Sequence, residues 1–178
     1  MTPVSKREPQ LALARRLVSQ PVGSVKGGKV IPKRLWESIL ASIPIACVDV
    51  IVYKRANGQT RVLLGYRKIP PYNDCWAVPG GRIVKRESLR DTANRQLEEI
   101  GLRPTGKYGL VGVYPVNFKQ RSDITISLST RLPSRQEPRP TRELTRYAWH
   151  RLHDLPSRLG SNYRAMLTDF RDGHYTVR

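Results

Sequence analysis

The glycine pair Gly80-Gly81 is followed by Glu87, then by Arg95, Gln96, Glu98 and Glu99 in a run that closes at Gly101. Together these residue types can hold a divalent cation against a diphosphate. Hydrolysing a diphosphate requires the phosphate charge to be offset, a water to be activated and the leaving group to be stabilised. Mg²⁺ does much of this through oxygen ligands, commonly one or two carboxylates plus waters and substrate phosphates. On a helix, Gln96 and Glu99 are three residues apart and share a face. Glu98 lies about 100° round from Glu99 and reaches the same cation from another side. Arg95 can pair with Glu99 at i+4. Glu143 follows a loop holding Pro133, Pro138 and Pro140, from which it can swing toward the same place. Arg67, Lys68 and Arg82 flank this region, and arginine grips phosphate oxygens in bidentate fashion. Tyr72 and Trp76 can stack on a base, although Trp76 reads more plainly as core.

Elements of regular spacing must carry these groups. Lys33–Ile43 has apolar residues at Leu35, Trp36, Ile39, Leu40 and Ile43, a short amphipathic helix stopped by Pro44. Ile45–Tyr53 is nearly all apolar and β-branched, so it is expected as a buried strand whose exception is Asp49. That acid faces a site or is a satisfied structural group. Asn57-Gly58 signals a hairpin into a second strand, Arg61–Tyr66. Trp76–Val78 follows as a short strand. Glu87–Ile100 places Leu89, Ala93, Leu97 and Ile100 on one stripe, a helix that Ser88 can cap and Gly101 ends. Tyr108–Val116, Ile124–Leu132 and Leu144–Arg151 are further strands. Asn162–Phe170 is a closing helix with Tyr163, Met166, Leu167 and Phe170 on one side. Strands, then a helix, then strands indicate an α+β domain.

The order of residues resembles the Nudix box, Gly-x5-Glu-x7-Arg-Glu-U-x-Glu-Glu-x-Gly-U, with U a bulky apolar residue. Gly81, Glu87 and Arg95 fit this spacing. Gln96 stands where the family has Glu, and the stretch between Arg95 and Gly101 is one residue short. Two registers follow. Counted from Gly81, Glu99 takes the first of the paired metal glutamates and Gln96 replaces the upstream one. Counted back from Gly101, Glu98 and Glu99 take the pair and Arg95 replaces the upstream acid. Glu99 is a metal position in both. The resemblance also implies the Gly80 carbonyl as a metal ligand and Arg95 as a brace for the catalytic acids. Glu143-Leu-Thr-Arg-Tyr-Ala-Trp149 is similar to the family segment in which an acid, acting as general base or extra ligand, precedes a strand ending in Trp. Ile45-Ala-Cys-Val-Asp49, Pro79-Gly-Gly-Arg82 and Tyr147-Ala-Trp149 look like the GDP-mannose mannosyl hydrolase branch, whose histidine base is replaced here by Leu144.

The resemblance spans roughly Ile45 to Phe170. It implies a Nudix-type α/β/α sandwich with a mixed β-sheet at 35–178, preceded by a basic N-terminal arm or linker at 1–34. It further implies a hydrolase using Mg²⁺, or Mn²⁺ in its place, on a nucleoside diphosphate linked to another moiety such as a sugar. In that reading Glu99, Glu143 and Arg95 are catalytic, Gly80, Gln96, Glu98 and Glu99 hold metal, and Arg67 and Arg82 hold phosphates.

Bulk properties set the outer bounds. The 178 residues suffice for one domain with a core plus appendages. No apolar run approaches the roughly 18 residues of a membrane span, so no membrane partner is expected. No signal-peptide core stands at the N-terminus. The first 34 residues carry eight Lys/Arg and one acid, Glu8, with Leu11, Leu13 and Leu17 at loosely helical spacing. A basic arm is expected there rather than a transit peptide. Cys47 and Cys75 form no CxxC pair, consistent with reduced thiols in the cytoplasm. Cys47 is expected as a buried thiol. The net charge of +18 attracts polyanions. It supports a second reading, a Nudix-fold module with impaired catalysis that binds RNA, a ribonucleoprotein or nucleotides. Homodimerisation is left open by the sequence.

Overall fold

The computed structural model describes residues 31–177 apart from 71, 105, 120 and 134. Most of the basic arm, residues 1–30, lies outside the described residues. The elements run α1 (Lys33–Ser42), β1 (Ile45–Ala56), β2 (Gln59–Arg67), β3 (Cys75–Ala77), β4 (Gly80–Arg82), α2 (Leu89–Glu99), β5 (Gly109–Asn117), β6 (Ser122–Arg131), β7 (Leu144–Arg151), α3 (Ser161–Asp172) and β8 (Thr176–Val177). The domain is α+β with a mixed sheet between α2 and α3, the sandwich expected above.

β1 is the central strand. It runs parallel to β6 from Ile45↔Asp123 to Tyr53↔Arg131. Its other edge changes partner: Cys47, Val48 and Asp49 pair with β4, whereas Tyr53 to Ala56 pair with β2. β2 then leaves to pair with β3 and β7. A strand buried on both faces needs apolar residues at both parities, and β1 has them. Ile51 joins Val62, Leu64, Val111, Met166 and Leu167 beneath α3. Val48, Val50 and Val52 join Leu63, Ala93, Leu97 and Leu128 beneath α2. The Asn57-Gly58 turn has positive φ at both residues, +51° and +74°, as the hairpin signal required.

α2 begins two residues later than expected because Ser88 caps it. Ser88 Oγ accepts from the Asp91 N–H at 3.1 Å, and Asp91 Oδ2 accepts from the Ser88 N–H at 2.9 Å. This is a capping box. Glu87 is therefore outside the helix, preceded by Arg86 at φ +75°. At the other end Gly101 sits at φ +78°. Leu102 N donates to Leu97 O at 2.8 Å and Gly101 N to Glu98 O at 2.9 Å. This is a Schellman closure, and its apolar pair, Leu97 and Leu102, is fully buried. On the opposite layer, Tyr114 Oη donates to Asp169 Oδ2 at 2.9 Å and ties α3 to β5. No helix among the described residues is long and apolar enough to cross a membrane.

Candidate active site

A cleft of about 830 Å³ lies where β1 changes partner. One end is lined by Asp49, Arg67, Gly80, Gln96, Glu99 and Glu143, the other by Trp36, Phe118, Arg121 and Asp123. Asp123 is opposite Ile45 and Gly80 is opposite Asp49, so the two ends are about 13 Å apart along β1 at the usual strand rise. A side chamber of about 190 Å³ gathers Gly80, Gln96, Glu99, Glu143 and Arg67 around one space.

The box end is tightly built. A Cβ on Gly80 would stand 1.9 Å from Asp49 Oδ1 and 2.6 Å from Val48 O, so only glycine lets β4 lie against β1 here. Arg95 braces the preceding loop from within α2. Its Nε and Nη2 donate to Glu87 at 2.7 and 2.8 Å, and Nη2 also donates to Arg82 O at 3.0 Å. Glu87 additionally accepts from Val84 N at 3.0 Å and Thr92 Oγ1 at 2.8 Å. The Arg95 hydrogen bonds are the main reason its carboxyl is held down at about 2. Arg95 Nη1 lies 3.6 Å from Glu99, the i+4 contact expected from the sequence, but Glu87 is its stronger partner.

Gln96 lies across Gly81. With its amide oriented to satisfy both ends, its nitrogen donates to Gly80 O at 2.7 Å and its oxygen accepts from Arg95 Nη1 at 2.6 Å. Its oxygen is thus turned toward a cation already in the protein. Glu99 is half exposed at 53% and lines both the cleft and the chamber, whereas Glu98 is exposed and lines only the cleft. Glu143, 44% exposed, forms an ion pair with Arg67. Arg67 is fixed by donating from Nε to Ile69 O and from Nη2 to Pro70 O, each at 2.9 Å. Arg82 stacks over Trp36 at 4.7 Å, and both line the cleft. Lys68 pairs with Asp74 at 2.9 Å and does not line the cleft. Tyr72 lines it, whereas Trp76 packs at the edge of the core against Tyr66 and His150.

Two cleft groups are strongly perturbed. Asp49, 7% exposed, has its carboxyl pushed up to about 7 by burial and by Asp123, against a lowering pull from Arg67. Cys47 is half-buried at the cleft rather than enclosed, and its thiol is pushed up to about 12 by burial, Asp123 and Asp49. It is no nucleophile at neutral pH.

Among the described residues no group of three or more His, Cys, Asp or Glu side chains gathers as a metal cluster. The chamber is lined instead by two acidic residues, Glu99 and Glu143, and by Gly80, whose carbonyl accepts from the Gln96 amide and keeps a second lone pair. This hard-oxygen set suits Mg²⁺, which keeps its remaining positions for water and substrate phosphate. The chemistry of the donors therefore fits the cation.

The sequence reading did not single out Trp36, Phe118, Arg121 or Asp123 for the cleft. Trp36 belongs to a helix outside the family resemblance. Asp123 is brought alongside β1 by the parallel β1–β6 register, and Phe118 and Arg121 come with it in the β5–β6 turn, a long-range pairing that local spacing does not encode. Asp49, the lone acid in an apolar strand, was the one available signal.

Comparison with known proteins agrees with this architecture. Residues 46–170 match the family model described as NUDIX domain. Over 76 residues the chain is 41% identical to the low-salt glycan biosynthesis protein Agl8 of Haloferax volcanii, covering 42% of this chain and 46% of that protein. Over 88 residues it is 38% identical to an ADP-ribose pyrophosphatase of Methanocaldococcus jannaschii, covering 48% and 49% respectively. The alignments thus span about half the length of these curated relatives. A MutT NUDIX hydrolase from Burkholderia pseudomallei superposes with TM-score 0.64 at 24% identity, covering 72% of this chain and 98% of that one. The NUDIX domain of Shewanella oneidensis NrtR complexed with ADP ribose gives 0.64 at 22% identity, covering 74% and 89%. These two likenesses concern the fold, and the family model covers the strand, loop and helix that build the cleft. The chain belongs to the NUDIX domain family.

Proposed function

We propose that the protein is a Mg²⁺-dependent hydrolase of a nucleoside diphosphate linked to another group, acting in the cytoplasm, with nucleotide sugars of the GDP-mannose kind as the first candidates. The observation that carries this reading is the chamber lined together by Gly80, Glu99, Glu143 and Arg67. A sugar-related relative and an ADP-ribose pyrophosphatase among the similar proteins support it.

The Gly80 carbonyl, Glu99 and Glu143 would hold the cation, which when bound offsets phosphate charge and lowers the pKa of attached water. Arg67 and Arg82 receive the phosphate oxygens. Glu143 orients the attacking water and accepts its proton. The water oxygen bonds to phosphorus, the P–O bond to the bridging oxygen breaks, and the leaving phosphate carries the electron pair. Arg95 and Gln96 are positioning residues: the first fixes the Glu87 loop, the second fixes the Gly80 peptide. Glu98, outside the chamber, contributes negative charge at the cleft mouth. Leu144 at the place of the branch's histidine favours attack at phosphorus over attack at the sugar carbon.

The test is a panel of nucleotide sugars, dinucleotides and capped RNA incubated with Mg²⁺ or Mn²⁺. Nucleoside monophosphate plus sugar phosphate is the expected product pair. Nucleoside diphosphate plus free sugar would overturn attack at phosphorus, and no release from any substrate would overturn the hydrolase. The second reading, a binding module, is favoured by the Gln96 amide capping the Gly80 carbonyl. It gains if the panel is inert while RNA binds with an affinity that falls steeply with salt.

A further inference from the structure

Arg67 and Glu143 both line the cation chamber, yet they are engaged with each other. The two partners are unequally held. Arg67 is clamped at Nε and Nη2 by the Ile69 and Pro70 carbonyls, so only its Nη1 edge serves Glu143. Glu143 is nearly half exposed, and it follows the proline-rich loop at the start of β7. Glu143 is therefore the partner free to move, and Arg67 the partner that stays.

We infer that this ion pair is an exchange contact that couples cation binding to phosphate binding. The inference rests on the hydrolase reading of the chamber. A cation arriving alone must draw Glu143 away and leave the desolvated Arg67 guanidinium without its anion. A diphosphate arriving alone must compete with Glu143 for the same Nη1 edge. When both arrive, Glu143 turns to the cation and Arg67 to a phosphate oxygen, and every charge keeps an opposite neighbour. The site thus selects the cation–diphosphate complex over either component. Such coupling is reciprocal between the two ligands, and typical strengths correspond to about 5–150-fold in affinity.

The test measures Mn²⁺ binding by the loss of its free EPR signal and GDP binding by calorimetry, each with and without the other, corrected for Mn²⁺–GDP association in solution. In the wild type each ligand is expected to tighten the other at least about 5-fold. Arg67→Gln removes the competitor for Glu143, so Mn²⁺ alone binds more tightly and GDP alone more weakly. Glu143→Gln does the reverse, and in both variants the coupling drops toward one. Arg67→Lys serves if Arg67→Gln does not fold, since lysine keeps the charge but not the three-point clamp, and it is expected to lower the coupling. Variants that move both ligands in the same direction, or that keep the wild-type coupling, overturn the exchange while the hydrolase reading stands. A wild-type protein that takes up neither Mn²⁺ nor GDP overturns both.

Discussion

Glu87→Gln should destabilise the domain in a way that betrays its charge. The Glu87 carboxylate receives two hydrogen bonds from the Arg95 guanidinium, one from a backbone N–H and one from Thr92. These hold its carboxyl at about 2, against an ordinary value of 4.5. The full difference corresponds to about 3 kcal/mol, at roughly 1.4 kcal/mol per pKa unit. The side chain is 19% exposed, and solvent screening brings a reasonable figure to about 2 kcal/mol, within the range for hydrogen bonds to charged groups. For a domain of this size that is a fall in Tm of about 4–8 °C. The sign with pH is fixed. A depressed acid contributes fully above its unfolded value near 4.5 and loses that contribution as pH falls through about 2. Less than about half remains at pH 3. Thermal melts of both proteins from pH 7 to pH 3 should therefore converge toward low pH. An unchanged Tm at pH 7, or a gap constant across the range, would refute the reasoning.

Three further outcomes are expected. Glu99→Gln should abolish turnover of whichever substrate the panel identifies, while unfolding free energy stays within the roughly 0.5 kcal/mol typical of exposed substitutions; full activity would remove Glu99 from the site. Gly80→Ala places a methyl against Asp49 Oδ1 and the Val48 carbonyl, so a loss of about 1–3 kcal/mol in chemical denaturation is expected along with lost activity. Asp49 is raised to about 7 in the fold, so the stability linked to its proton, present below about 4, is lost as pH rises through 7. Asp49→Asn in EDTA should accordingly melt above the wild type at pH 8 and level with it near pH 4; a variant that melts below wild type at pH 8 would contradict this.

Much of the scaffold was legible because its signals are local. The Ile45–Tyr53 run, the Asn57-Gly58 turn, the Leu89/Ala93/Leu97/Ile100 stripe and Gly101 each specify their element from neighbouring residues alone. β4 was not legible: Gly80–Arg82 has no periodicity, and it is a strand only because β1 offers an edge there. Within the site, Gly80, Arg82, Gln96, Glu99 and Glu143 reach one cleft, together with Arg67 and Glu98. What spacing could not reveal is who already holds whom. Arg95 turns to Glu87 more than to Glu99, Gln96 spends its amide on Gly80 and Arg95, and Arg67 is bound to Glu143. Those choices depend on long-range approach of loops, which a motif count does not contain.

The Schellman closure of α2 has an electrostatic corollary. It fixes Glu98 and Glu99 in the final turn, where the summed peptide dipoles present their negative pole, and that turn carries no basic residue. Two anions at that pole are each disfavoured by about 0.3–1 kcal/mol. The helix end is thus under a standing repulsion that Arg95 relieves only from one side. Any divalent ion settling there would quiet it, so the last turn of α2 should become more resistant to hydrogen exchange when magnesium is added.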